Sequence, residues 1–238
     1  MLRKYVDLDA LSRAAAQDFA LLAKAAIAER GAFHVALSGG STPKKLFQVL
    51  AAMGRDALPW DAIHLWWGDE RCVPPDHADS NYGMTRASLI EPLGLKHVHR
   101  IEGEGDPETS AQAYEDELVS GLGAQPVLDL ALQGMGPDGH TASLFPHSPA
   151  LRETQRLVVA NAVDSPLTKG KAVRITMTFV AINAARHVRF LVGGADKAAT
   201  LAAVLQGPRD VATYPSQGVA GADVSWLVDE AAAARLVP

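Results

Sequence analysis

Apolar residues recur along the chain in two rhythms, and the alternation between them predicts the fold. In "DALSRAAAQDFALLAKAAIAER" the residues Leu11, Ala15, Phe19, Leu22 and Ala26 fall on one stripe at helical spacing, and "TSAQAYEDELVSGL" and "DKAATLAAVLQ" follow the same period. Between them lie short, nearly continuous apolar runs: "FHVALS", "AIHLWWG", "VLDLALQG", "RLVVANAV", "HVRFLVGG" and "DVSWLVD". Strands that are apolar at almost every position are covered on both faces, and strands separated by helices pair in parallel. The pattern predicts an α/β chain, a doubly wound, mostly parallel sheet with helices on both faces. Its 238 residues are expected to form a single domain over 1–238, since no repeat and no low-complexity linker divides them.

Four of these strands end alike, in "ALSGGSTP", "WWGDER", "ALQGMGPDGH" and "FLVGGADK". In a parallel sheet the carboxyl ends share one edge, where such folds bind ligands, so the four loops are expected to converge on one crevice. Gly39, Gly40, Ser41 and Thr42 make a glycine turn with two hydroxyls, followed by a proline suited to a first helical turn. Backbone N–H groups there suit an anion such as a phosphate; a tight turn with no ligand is the plain alternative, because neither a Walker A nor a dinucleotide fingerprint is present. Arg174 in "AVRITMT" and Lys197 in "GGADKAA" are solvated cations by default and become clamps if the ligand is a phosphate ester.

In "GDER", charges directly abut a buried strand and must find partners or a ligand. The functional reading sets Asp69 against sugar hydroxyls and Arg71 near developing negative charge. An internally paired surface turn is the alternative. His140 in "GPDGH" follows Asp138 by two residues, and such an acid orients an imidazole and stabilises its charged form, as a general base requires. His140 and His147 lack a metal-ligand pattern, so no metal is expected. Cys72 has no recognisable histidine partner, and Ser143 lacks the strained elbow of a serine hydrolase.

Composition then excludes whole classes. A net charge of -5 with acids and bases mixed, and no basic run, argues against a nucleic-acid partner. No apolar run approaches membrane-spanning length and the first residues are charged, so a cytoplasmic protein without a membrane partner is expected. The single cysteine agrees with a reducing compartment. The oligomeric state stays open between a monomer and a weak dimer.

The stretches "LSGGSTPKKLF", "WWGDERCVPPDHADSNYGM", "GMGPDGHTASLFP" and "ARHVRFLVGGADKAATLAAVLQG" resemble, in this order and along nearly the whole chain, the 6-phosphogluconolactonases of the pentose phosphate pathway. The resemblance implies kinship with the glucosamine-6-phosphate deaminases and an α/β fold in which a glycine-serine-threonine loop holds a sugar phosphate. It implies hydrolysis of 6-phospho-D-glucono-1,5-lactone to 6-phospho-D-gluconate, with no metal or organic cofactor. By motif, it makes Gly39, Gly40, Ser41 and Thr42 the phosphate loop with Arg174 and Lys197 as cationic partners. His140 becomes the base that activates water, with Asp69, Arg71 and Asp138 near the lactone. The related deaminases follow Asp-Gly-His with a run containing a glutamate that helps ring opening. Here that place reads "TASLFP", without an acid, which favours the lactonase over a deaminase-like sugar-phosphate isomerase.

Overall fold

Asp7 starts the first helix by accepting the Ala10 N–H at 2.7 Å, and Gly31 ends it at φ 84°, so α1 spans Leu8–Arg30. Leu11, Ala15, Phe19 and Ala26 are buried as their spacing predicts; Leu22 is half-buried, and Ala23 takes the inward place. The computed structural model describes residues 1–237. In it α1 follows β1 (Leu2–Tyr5) and precedes β2 (Phe33–Leu37). Next come α2 (Ser41–Ala52), β3 (Ile63–Trp67), β4 (Asp69–Arg71), α3 (Asn81–Thr85), a π-helical turn (Arg86–Ile90), α4 (Glu91–Leu93), α5 (Pro107–Leu122) and β5 (Leu130–Gln133). The chain then forms β6 (Val158–Ser165), β7 (Gly170–Met177), α6 (Phe179–Ala184), β8 (His187–Val192), α7 (Ala198–Gln206) and β9 (Val224–Asp229).

Six strands pair in parallel in the order β1-β9-β8-β5-β2-β3. From β2 the chain moves to β3 on one side, whereas β5, β8 and β9 lie on the other. The crevice between β2 and β5 is therefore the topological switch point, where ligand sites of such sheets form. Helices cover both faces. Phe33 of β2 meets Phe19 of α1 edge-on at 5.3 Å. Trp66 of β3, an odd step from Phe33's register partner Ile63 and so on the opposite face, tilts against Tyr114 of α5 at 6.0 Å. The same Tyr114 hydroxyl accepts the Trp67 N–H at 2.7 Å, satisfying a backbone donor of the edge strand β3.

A second sheet, antiparallel and in the order β4-β7-β6, changes two expectations. "RLVVANAV" carries β6 of this small sheet and does not join the parallel one. Its second half alternates buried and exposed positions, the signature of a sheet with one solvated face. "GDER" is not a free turn: residues 69–71 form β4 and pair with β7. β1, with half its side chains exposed, escapes the apolar-run criterion altogether. Among the described residues, no helix is long and apolar enough to cross a membrane.

A histidine stack on the parallel sheet makes stability depend on pH. His34 and His64 are register partners stacked at 4.4 Å, and His64 stacks on His97 at 4.5 Å. His64 Nδ1 and His99 Nε2 share a hydrogen bond at 3.0 Å, and His99 Nδ1–H donates to Glu117 of α5 at 2.7 Å. Burial, then the neighbouring His34, His97 and His99, lower the His64 pKa from 6.5 to about 4. Between those limits the unfolded chain binds the extra proton, so this contribution is complete above pH 6.5 and is lost as pH falls toward 4. Tm measured across that window is expected to decline on acidification, and His64→Phe is expected to flatten the decline; an equally steep fall in both proteins would remove His64 from the explanation.

Candidate active site

The four loops expected to converge do so. Residues 38–43 after β2, Asp69 and Arg71 on β4, residues 134–137 with His140 after β5, and Leu191 and Val192 at the end of β8 with Gly193 and Lys197 beyond it line one cavity of about 260 Å³. The cavity lies at the carboxyl edge, at the switch point between β2 and β5. Gly40, at φ 102°, turns the chain into α2, whose first turn has no side-chain cap and no acidic residue. Its leading N–H groups therefore remain available to an anion, and the helix dipole favours one.

Gly139, at φ 85°, turns the loop after β5 so that the Gly136 N–H donates to the His140 carbonyl at 2.9 Å. A side chain at Gly136 is excluded, because its Cβ would stand 2.1 Å from His140 Nδ1. That nitrogen donates to Asp138 Oδ1 at 2.6 Å, and the ring stacks on Phe145 at 4.2 Å. An ionised carboxylate only accepts, so Nδ1 carries a proton, and in the neutral ring the lone pair falls on Nε2. Burial raises the Asp138 pKa, but the hydrogen bond and charge of His140 outweigh it and hold the carboxyl below its ordinary value. His140 is on the cavity wall; Asp138 is not. Ala142, also on the wall, has φ 47°, a strained setting for a residue with a Cβ.

The segment after His140 is tied down from three directions. Thr141 Oγ1 donates to Gln133 Oε1 at 2.7 Å, Ser143 Oγ donates to Asp69 Oδ2 at 2.6 Å, and Asn161 Nδ2 on β6 donates to the Ser143 carbonyl at 2.8 Å. The small sheet thus fixes the histidine loop against the parallel one. Ser143 is buried with its hydroxyl committed to Asp69, which is not the posture of a nucleophile.

Two residues that the sequence did not single out organise the neighbouring wall. Glu70 is buried and accepts from the backbone N–H groups of Arg71 (2.7 Å), Asn81 (2.8 Å) and Tyr82 (2.8 Å) and from Ser80 Oγ (3.0 Å). Burial raises its pKa against the pull of those N–H donors. Asn81, buried at the start of α3, lines the cavity and donates from Nδ2 to the Asp69 carbonyl at 2.9 Å. The sole hint in the sequence was an acid abutting a buried strand; no spacing rule links residue 70 to residues 80–82.

The basic residues separate. Arg71 lines the cavity and donates to the Asp79 carbonyl. Lys197 lines it too, with Nζ 2.7 Å from Asp196. Its loop is anchored by Asp229 at the end of β9, which accepts the Gly194 N–H at 3.0 Å. Arg174 departs from expectation: it faces Arg71 in register on β7 and is not part of the cavity wall. Burial, then the Arg71 charge, lower its pKa. Among the described residues, no group of three or more His, Cys, Asp or Glu side chains is arranged to hold a metal ion.

Comparison with known proteins sets this geometry in a family. A family described as glucosamine-6-phosphate isomerases/6-phosphogluconolactonase matches residues 6–227. The chain is 43% identical over 222 residues to a 6-phosphogluconolactonase of Synechocystis sp., covering 90% of this chain and 88% of the relative. It is 44% identical to one of Nostoc sp., covering 89% and 88%. Among solved structures, 6-phosphogluconolactonase from Trypanosoma cruzi superposes with a TM-score of 0.86 at 31% identity, over 100% of this chain and 97% of that one. With a family match across nearly its whole length and relatives of this identity and coverage, the chain belongs to the glucosamine-6-phosphate isomerase/6-phosphogluconolactonase family.

Proposed function

We propose that the chain hydrolyses 6-phospho-D-glucono-1,5-lactone to 6-phospho-D-gluconate in the cytoplasm, using water activated by His140. The observation that carries this reading is the His140–Asp138 pair: a ring with Nδ1 held by a carboxylate, and Nε2 left as a base on a cavity that also holds an uncapped helix N-terminus. A lactone is a cyclic ester, so its hydrolysis needs a placed water, a base and donors for the oxyanion, but no covalent nucleophile. His140 Nε2 takes a proton as the water oxygen bonds to C1. The same proton passes to the ring oxygen as the C1–O bond breaks. Asp138 stabilises the imidazolium formed between the two steps, and Arg71 is placed to stabilise the oxyanion.

Gly39, Gly40, Ser41 and Thr42 offer N–H and hydroxyl donors to the phosphate, and Lys197 offers its charge. Arg174, the register partner of Arg71 on β7, adds positive potential beside the wall. Binding energy from the phosphate then fixes the distant carbonyl against His140. A deaminase-like reading finds no support after His140, where Thr141 and Ser143 are committed to Gln133 and Asp69.

Two parallel assays test the proposal. Protein is expected to open freshly made lactone faster than the spontaneous background and to release no ammonia from glucosamine 6-phosphate; the reverse pattern would replace it with the deaminase reading. Lys197→Ala is expected to raise KM by roughly 10- to 100-fold, the worth of a charged hydrogen bond, with kcat little changed. A fall in kcat at constant KM would place Lys197 at the reacting end instead.

A further inference from the structure

Asn81 is fixed before any ligand arrives. Its N–H donates to Glu70 at 2.8 Å, and the residue is 2% exposed. The side-chain amide is just as firmly oriented. Nδ2 donates to the Asp69 carbonyl at 2.9 Å and to Asp69 Oδ1 at 3.3 Å. Two acceptors on that side decide which end of the amide is nitrogen. Oδ1 is left over: among the described residues it accepts no hydrogen bond, and it is not sealed from the cavity that Asn81 lines. It lies hard against the glycine loop, since a Cβ on Gly39 would stand 1.8 Å from it. An unpaired, immobile acceptor therefore stands between that loop and Asp69.

The chemistry of the substrate decides what such an atom takes. The phosphate, the carbonyl and the ring oxygen of a phosphorylated lactone are all acceptors, which an amide oxygen repels. Only the ring hydroxyls donate. We propose that Asn81 Oδ1 is a specificity-determining contact that accepts a hydrogen bond from a ring hydroxyl of the lactone; this deepens the lactonase reading and rests on it. Asn81 thereby distinguishes a polyhydroxylated lactone from one that merely carries phosphate and an ester.

The test compares wild type with Asn81→Ala on the parent lactone and on its 2-, 3- and 4-deoxy analogues, reading kcat/KM for each. Ratios between the two proteins cancel any change in the intrinsic reactivity of the analogues. Wild type is expected to lose about 5- to 10-fold on the analogue lacking the contacted hydroxyl, while Asn81→Ala treats that analogue and the parent alike. If Asn81→Ala loses activity but keeps the wild-type preference among all four substrates, Asn81 is only structural and the proposal falls. Should Asn81→Ala not fold, Asn81→Ser, too short to place an acceptor at the same point, gives the same comparison. Wild type inactive on the parent lactone would overturn the lactonase reading and this contact with it, a result separate from loss of discrimination alone.

Discussion

His140→Ala is expected to lower kcat by about two to four orders of magnitude while leaving substrate affinity within a few-fold, the range for loss of a general acid-base. The split between kcat and affinity follows from the division of the site. The proposed phosphate donors are the turn into α2 and Lys197, and neither depends on the imidazole. The ring is held from two sides, by Asp138 at 2.6 Å and by the face of Phe145 at 4.2 Å, so its removal takes away a placed base without unlatching the loop. The loop itself is held by Thr141, Ser143 and Asn161. Equilibrium binding of 6-phospho-D-gluconate to the variant, beside single-turnover rates, separates the two effects. Near-normal turnover in the variant would assign the base elsewhere.

Glu70→Ala has the largest expected effect on stability. It leaves three backbone N–H groups and the Ser80 hydroxyl facing a cavity where a carboxylate stood. Each unpaired buried donor costs about 1–3 kcal/mol, and water entering the gap recovers part of the sum, so a net loss of about 3 kcal/mol is expected. In a chain of this length that corresponds to roughly 6–12 °C in Tm. Glu70→Gln should fare nearly as badly, because the amide adds two donors to a ring of donors. Activity should fall as well, since the same carboxylate fixes Asn81, whose amide meets Asp69. A Tm within 2 °C of wild type, measured by calorimetry, would mean that the turn from Ser80 to Tyr82 is held by other contacts.

These two predictions differ in how far the sequence anticipates them. The place of His140 on the cavity wall is legible because a short local pattern sets it at a parallel-sheet edge: a glycine turn, an acid and a histidine directly after an apolar run. The five parallel strands read from continuous apolar runs, from "FHVALS" to "DVSWLVD", are legible for the same reason, as both faces of each are covered. β4 and β7 are not, since three charged residues and a half-solvated strand carry no apolar signature. Glu70 and Asn81 act through contacts made only after folding brings α3 against β4. Arg174 shows the converse: the local sequence offers a cation, but the register of β7 against β4 sets it across from Arg71 and off the cavity wall.

The central claim, that His140 held by Asp138 activates water, is tested most directly by a double-mutant cycle on kcat: His140→Ala, Asp138→Asn and the double variant beside wild type, with spontaneous lactone opening subtracted. Because Asp138 acts through the imidazole it holds at 2.6 Å, Asp138→Asn is expected to lower kcat while 6-phospho-D-gluconate still binds, and the double variant to be no slower than His140→Ala alone. Wild-type kcat in Asp138→Asn, or a double variant slowed by the product of the two single losses, would contradict the account.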